Sequence, residues 1–422
     1  MRKMKVPTVL GCILSLALTL PPGSAVAQNK PQDKPQAVTE ASDSAFAPKD
    51  GDRVVFLGNS LFENDLQYGY LELALTTRWP DRNVTYRNIG WTGDTVWGEA
   101  RSYITNPPSP YELLIEQLTK AQPTVVFIAY GGIEAQEGEA GLSRFNEGLN
   151  KLLDKVDQLG AKAILLSPIP VLSAEVGEEP AKRNAMLEVY ASAIAKTAAS
   201  RGKQFIDIYK PLQELNKKVK LTDNGIHLNE NGYYHLAATV EKGLGLAPRN
   251  ASVMINVSKH AADGTVPAKI LETGKHNESL KFTMEEGMLP LPLPAQGEGA
   301  AAAEVQVLKI AGLKKGFYTL TTDNTQVITA SANKWKEGVE IKRGASFNQA
   351  SELQEKIIKK NDLFFQQYRP QNKTYILGFR SYEQGRHVKT LEDLNFIITW
   401  LEGQIALNRT PKPTMYQLTP VK

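Results

Sequence analysis

Between about residue 51 and residue 245 the chain alternates short unbroken apolar runs with longer stretches of mixed polarity. The first run, Arg53-Val-Val-Phe-Leu57, ends at Gly58 and reads as a buried strand followed by a tight turn. Similar runs occupy residues 84–89, 124–130, 161–167 and 204–209. The clearest helix covers residues 142–159. There Leu142, Phe145, Leu149, Leu152, Leu153, Val156 and Leu159 recur at spacings of three and four, and Gly160 supplies the stop. Residues 181–200 form a second helical pattern, with Met186, Tyr190 and Ile194 on one side, and residues 230–242 a third. Strands without polar alternation, separated by helices, imply a parallel sheet covered on both faces.

After about residue 245 the rhythm changes. Residues 253–257, 280–284, 304–310 and 317–321 alternate or are rich in β-branched residues, with no long helix between them, and predict a small antiparallel β unit. Residues 291–304, with Pro-Leu-Pro and a Gly/Ala-rich stretch, read as an exposed loop. Two helices follow. Residues 346–360 would be capped by Ser346, and residues 391–407 carry Leu394, Ile397, Ile398, Leu401 and Ile405 on one face. The expected division is therefore 1–27, 28–49, 50–247, a β-rich region at 248–345 and a helical region at 346–422.

The first 27 residues read as a cleaved export signal. Arg2, Lys3 and Lys5 precede an apolar run from Val9 to Leu20 that is short for a membrane span, and Ala25-Val26-Ala27 is an A-x-A site. A periplasmic or secreted location without a stable membrane anchor follows as an expectation. Residues 28–48 are rich in Gln, Lys, Pro, Ala and Ser and read as a linker. The sole cysteine, Cys12, lies within the signal, so the mature chain has no thiol for catalysis or disulfides. Net charge is +4 and falls to +1 without the three N-terminal basic residues, which leaves no basis for nucleic-acid binding.

Ligands of parallel sheets bind beyond the carboxyl ends of the strands, so the polar residues after each run carry the chemistry. Gly58-Asn59-Ser60-Leu61 follows the first strand directly and places a hydroxyl at that edge, beside backbone N–H groups able to hold an oxyanion. Among the five histidines, His227 lies in a turn between the last run and the helix at 230–242, and an imidazole is the natural base for a serine.

In these residues the chain resembles the SGNH/GDSL hydrolase family, in particular its secreted planctomycete-type branch, over about residues 50–246. The family's first block, Gly-Asp-Ser, reads here as Gly58-Asn59-Ser60. Its second-block glycine is matched by Gly90 in Asn88-Ile-Gly-Trp-Thr-Gly-Asp94. The third block, Gly-x-Asn-Asp/Glu, reads as Gly131-Gly132-Ile133-Glu134, and the last, Asp-x-x-His, as Asn224-Gly225-Ile226-His227. The resemblance implies a three-layer α/β/α flavodoxin-like sandwich with a five-stranded parallel sheet. It implies Ser60 as nucleophile, His227 as base, and the N–H groups of Ser60 and Gly90 as oxyanion donors. Two positions depart from it. Ile133 replaces the asparagine that would supply a side-chain donor, and Asn224 replaces the aspartate that would orient the histidine. Asp223 is a neighbouring carboxylate that could substitute, and Glu134 a further acid near the site.

Trp91, Asp94 and Trp97 suit either sugar recognition on an exposed loop or packing of that loop, and Tyr130 ends the third run at the same edge. Farther on, Arg369, Asn372, Arg380 and Glu383 sit among aromatics. They read as a helical cap lining a cleft, or as a structural Arg–Glu pair. Metal-ligand and nucleotide-loop spacings are missing from the sequence, so the implied mechanism takes no cofactor. The expected activity is hydrolysis of an ester, small-molecule or polysaccharide and foremost an O-acetyl group, with Asn59, Trp91, Asp94, Tyr130, Glu134, Arg369 and Asn372 as substrate-side candidates. The alternatives are a degenerate, glycan-binding member of the fold and an interaction module.

Overall fold

The computed structural model describes residues 46–101, 108–172, 180–249, 251–295, 305–323, 325–369, 379 and 388–421. The expected signal, the A-x-A site, most of the linker, Asn372, Arg380 and Glu383 lie outside these residues. The first strand, β1 (Arg53–Gly58), is buried from Val54 onward. It is followed by α1 (Ser60–Asp65), α2 (Tyr70–Arg78), β2 (Thr85–Asn88), α3 (Pro110–Ala121), β3 (Val125–Ala129), α4 (Leu142–Gln158) and β4 (Lys162–Leu166). Then come α5 (Pro180–Ser200), β5 (Gln204–Ile206), α6 (Tyr209–Asn216) and α7 (Glu230–Gly243).

The five strands form one sheet in the order β2-β1-β3-β4-β5, every pair parallel. This is the doubly wound flavodoxin-like order. Successive β1 residues face opposite layers. Val54 and Phe56 pack toward α2 and α7, whereas Val55 and Leu57 pack toward α3 and α4. The order reverses between β1 and β3, so the carboxyl ends of those two strands open a crevice.

The second part departs from the expected small antiparallel unit. The strands β6 (Ser252–Asn256), β7 (Ala261–Gly264), β8 (Ala268–Thr273), β9 (Leu280–Met284), β10 (Gln306–Ala311), β11 (Phe317–Thr322), β12 (Thr325–Ser331) and β13 (Val339–Ile341) build two sheets. One is mixed, with β6 and β10 parallel. The other is antiparallel, and its central strand β14 (Thr414–Pro420) comes from the chain end, between β9 and β11. Residues 346–422 are therefore not purely helical.

The short helix α8 (Ala332–Glu337) precedes α9 (Ala345–Tyr368), and α10 (Val388–Asn408) follows. The cap of α9 is Gly344, and Ser346 instead donates to Glu286 at 3.3 Å. On α10, Ile398, Leu401 and Ile405 are buried as expected, but Ile397 is exposed. Leu289 and Leu291 are buried in the core between the parallel sheet and helices α2 and α7, and Tyr70 donates to the Pro292 carbonyl at 3.0 Å. The start of the expected loop is thus packed rather than exposed.

Helix α9 lies against α2 through a buried pair, Lys360 to Glu72 at 2.8 Å. Lys360 also donates to the Tyr86 carbonyl at 3.0 Å, and Asn361 to Glu72 at 2.9 Å. The described residues, from Phe46 to Val421, belong to one compact unit. No helix among the described residues is long and apolar enough to cross a membrane.

Candidate active site

Asn59 follows β1 and caps α1, its side-chain oxygen accepting the Leu61 N–H at 3.1 Å. The cap fixes the turn in which Ser60 becomes the first helical residue, where its N–H lacks an intrahelical partner. Among the described residues nothing accepts from that N–H. Gly58 has no room for a side chain, because a Cβ would lie 2.5 Å from the Ala129 carbonyl oxygen of β3. Asn59 therefore shapes the turn through its side-chain oxygen.

His227 sits in the loop before α7. Thr222 and Leu228 bridge across the loop, Gly225 takes φ +77° and donates to the Thr222 hydroxyl at 2.9 Å, and Asn229 caps α7. The Tyr233 hydroxyl donates to the Leu61 carbonyl at 2.8 Å, tying α7 to α1 and so the histidine loop to the serine turn. Ser60 and His227 line one solvent-open cleft with Ile133, Tyr130 and Gly132. No hydrogen bond joins the two side chains in this structure; such contacts commonly tighten only with substrate.

The aspartate position is filled by Asn224. Its side-chain oxygen accepts the N–H groups of Ile226 (3.0 Å) and His227 (2.8 Å), which turns its amide nitrogen toward the His227 Nδ1 at 3.3 Å. An amide N–H donates, so Nδ1 accepts and the ring proton of neutral His227 resides on Nε2. Asp223 does not substitute. Its carboxylate accepts from Asn229 at 3.2 Å and faces Lys220 at 3.6 Å.

The expected second oxyanion donor is engaged elsewhere. The Gly90 N–H donates to the Asn88 side chain at 2.9 Å, and the residue must be glycine because a Cβ would lie 2.5 Å from the Glu63 nitrogen. Trp91 is buried rather than open to a sugar, and the Arg369 guanidinium lies 3.8 Å from its ring centroid. Arg369 also pairs with Glu63 at 3.0 Å, and Glu63 accepts the Thr92 N–H, so Arg369 clamps this loop onto α1 instead of presenting charge to the cleft.

Asp94 is fully buried and bonded to Arg101 at 2.7 Å and to the Tyr130 hydroxyl at 2.9 Å. Burial pushes its carboxyl up against the pull of Arg101. Glu134 is buried too, accepting from Val96 at 2.9 Å and Gly131 at 2.8 Å, and burial pushes its carboxyl up to about 7. Both acids staple the Trp91 loop to the end of β3 and neither lines the cleft. Of the substrate-side candidates, Tyr130 and Asn59 line it, and the tyrosine's hydroxyl is committed to Asp94.

Asn64, Gln136 and Arg183 are among the cleft residues that the sequence reading did not name. Asn64 had a usable signal, since it lies one helical turn beyond Ser60 on the same face. Gln136 follows the Gly131–Glu134 block closely, whereas Arg183 had no signal, because the fold alone brings its segment to this edge.

Residues 56–234 match the profile of the GDSL-like lipase/acylhydrolase family. These residues form a GDSL-like lipase/acylhydrolase domain. That family is one of carboxylic ester hydrolases, and the matched range takes in both the Ser60 turn and the His227 loop. Among solved structures, a gut microbial diltiazem-metabolizing enzyme, BT4096, is similar at 19% identity and a TM-score of 0.68 over 89% of this chain and 99% of that one. At this identity the likeness is one of fold, and its span takes in the C-terminal sheets and helices. The acetylxylan esterase Axe2 of Geobacillus stearothermophilus (18% identity, 47% of this chain, 96% of that one, TM-score 0.37) is also similar. So is LAE5, an alpha/beta hydrolase enzyme from the metagenome of Lake Arreo, Spain, with the same identity, coverage and score. No curated protein sequence matches the chain.

Proposed function

We propose that this protein is an exported SGNH-type serine esterase that removes an O-acetyl group from a polysaccharide. The observation that carries the esterase reading is the shared cleft of Ser60 and His227 at the carboxyl edge of the sheet. Ser60 Oγ attacks the acyl carbonyl, its proton passes to His227 Nε2, and the Ser60 N–H stabilises the developing oxyanion. His227 then returns the proton to the leaving alcohol, and water repeats the cycle on the acyl-enzyme.

For His227 to accept at Nε2, its ring proton must first reside on Nδ1, opposed by the Asn224 amide. The site is therefore a slow one for its family. Export rests on the basic, apolar and A-x-A pattern of residues 1–27. The polysaccharide rests on that location and on an open cleft with side-chain amides at Asn64 and Gln136.

A second reading, a glycan-binding protein that has kept the fold, is favoured by two observations together: the Asn224 amide directed at Nδ1 and the apolar Ile133 in the cleft. Acetate release from acetylated xylan and from p-nitrophenyl acetate by the mature chain and by Ser60→Ala separates the two. The esterase reading expects release that S60A abolishes; equal rates in both proteins discard it.

A further inference from the structure

One charged side chain stands out in the cleft. Among its described lining residues no Asp or Glu occurs, and Arg183 is the one formally charged group. Every other described arginine donates to a carboxylate, a side-chain amide or a backbone carbonyl. Arg78 and Arg249 pair with Glu241, Arg87 with Glu402, Arg101 with Asp94, Arg144 with Glu99, Arg201 with Asp154 and Arg369 with Glu63. Arg53 donates to Gln122, and Arg82, Arg343 and Arg409 donate to carbonyls of Pro48, Val327 and Pro80. Arg183 alone among the described arginines has no such partner.

Its backbone is nonetheless held firmly. Arg183 lies in the first turn of α5, beside Asn184, whose side chain accepts from the Val171 N–H at 2.8 Å and donates to the Val171 carbonyl at 3.0 Å. The Tyr209 hydroxyl donates to the Asn184 carbonyl at 3.2 Å. The half-buried side chain shares its wall with Pro170, Val171 and Leu187. Apolar walls lower the local dielectric, so an unpaired guanidinium there attracts an oxyanion more strongly than one in open water.

We infer that Arg183 is a specificity-determining residue that binds an anionic group of the substrate, so that the ester taken by this cleft is carried on an acidic sugar. The inference rests on the esterase reading for the ester, but the anion subsite follows from Arg183 alone. A guanidinium binds carboxylate and sulfate oxygens by the same paired N–H donors. Both sources are therefore tested.

Rates of acetate release are compared for the wild type, Arg183→Gln and Arg183→Lys. The substrates are acetylated xylooligosaccharide, which is neutral, acetylated oligogalacturonide, which carries carboxylates, and an acetylated sulfated oligosaccharide. The wild type is expected to favour at least one anionic substrate over the neutral one in kcat/KM. R183Q should reduce that ratio about 10-fold or more, as loss of a charge-assisted hydrogen bond does, and R183K should retain part of it. Added salt should shrink the wild-type ratio. A wild type without preference, or an unchanged ratio in R183Q, overturns the inference.

If no substrate releases acetate, the esterase reading fails and the subsite is read by calorimetry on Ser60→Ala with and without R183Q. Tighter binding of an acidic than of a neutral oligosaccharide, lost with R183Q, upholds the subsite without turnover. Equal binding rejects it.

Discussion

The side-chain amide nitrogen of Asn224 lies 3.3 Å from Nδ1 of His227, while the Asn224 oxygen is occupied by two backbone N–H groups. A rotation of the amide that turned its oxygen to the ring would lose both of those bonds. The asparagine therefore selects the tautomer with its proton on Nε2, the wrong one for taking a proton from Ser60. In Asn224→Asp one carboxylate oxygen keeps the two N–H bonds and the other accepts from Nδ1–H. N224D is expected to raise kcat/KM on p-nitrophenyl acetate by about 10²- to 10⁴-fold, the scale on which a misdirected tautomer slows a serine triad. A rate unchanged or lowered in a folded N224D protein refutes the tautomer argument.

Ile133 lines the same cleft and cannot donate a hydrogen bond. Ile133→Asn introduces an amide there. Because a single oxyanion donor is worth about 10²–10³ in rate, I133N should raise kcat by about 10-fold or more with little change in KM, and more again in the N224D background. A change confined to KM would show that residue 133 contacts the substrate away from the developing charge.

The buried Glu134 sets a pH dependence of stability. Its carboxyl is pushed from an ordinary value near 4.5 up to about 7. Between these values the folded protein holds a proton that the unfolded chain has released, so stability falls as pH rises from about 4.5 through 7 and levels off above. The contribution is roughly 3 kcal/mol at most. Denaturant unfolding of wild type and Glu134→Gln at pH 5, 6, 7 and 8 should show the wild-type stability, relative to E134Q, decreasing across this range. A constant difference contradicts an elevated Glu134.

Much of the hydrolase layer was legible before any coordinates, for reasons visible in single residues. The run from Arg53 to Leu57 is apolar at every position after Arg53 because both faces of β1 are covered, and Gly58 marks the close approach to Ala129. The position of His227 was legible because Gly225 and Asn229 punctuate its loop. What lay hidden was the partner of each rim residue. Trp91 and Asp94 look like open sugar ligands in sequence, yet Arg369 and Arg101 cover and neutralise them. Arg369 comes from the end of α9, and no local pattern announces so distant a pairing. Gly90 failed as a donor for a local reason, the capture of its N–H by Asn88. The β14 strand was missed because Thr414–Pro420 mixes polar and apolar residues and ends in proline, weak signals for a central strand.

That covering of Trp91 makes the C-terminal helix part of the site's support. Arg369→Ala removes the Glu63 pair and the cation stacked on the indole. Unfolding free energy should drop by about 1–2 kcal/mol, and kcat should fall through displacement of the loop beside Ser60. Arg369→Lys should recover part of the stability. Full activity and stability in R369A would show that the clamp has no role.

The docking of α9 itself depends on the buried Lys360–Glu72 pair. Lys360→Ala leaves Glu72 buried without its partner and should cost about 3–5 kcal/mol, whereas Glu72→Leu with Lys360→Met should be close to neutral. Urea unfolding of the two variants checks the contrast, and equal losses would contradict a role for the uncompensated charge.

The most direct test of the account is covalent. A fluorophosphonate probe, followed by mass spectrometry of the digested protein, should place the label on Ser60, with labelling slower in His227→Ala and absent in S60A. Absence of label from Ser60 in the wild type would contradict a nucleophilic serine in this cleft.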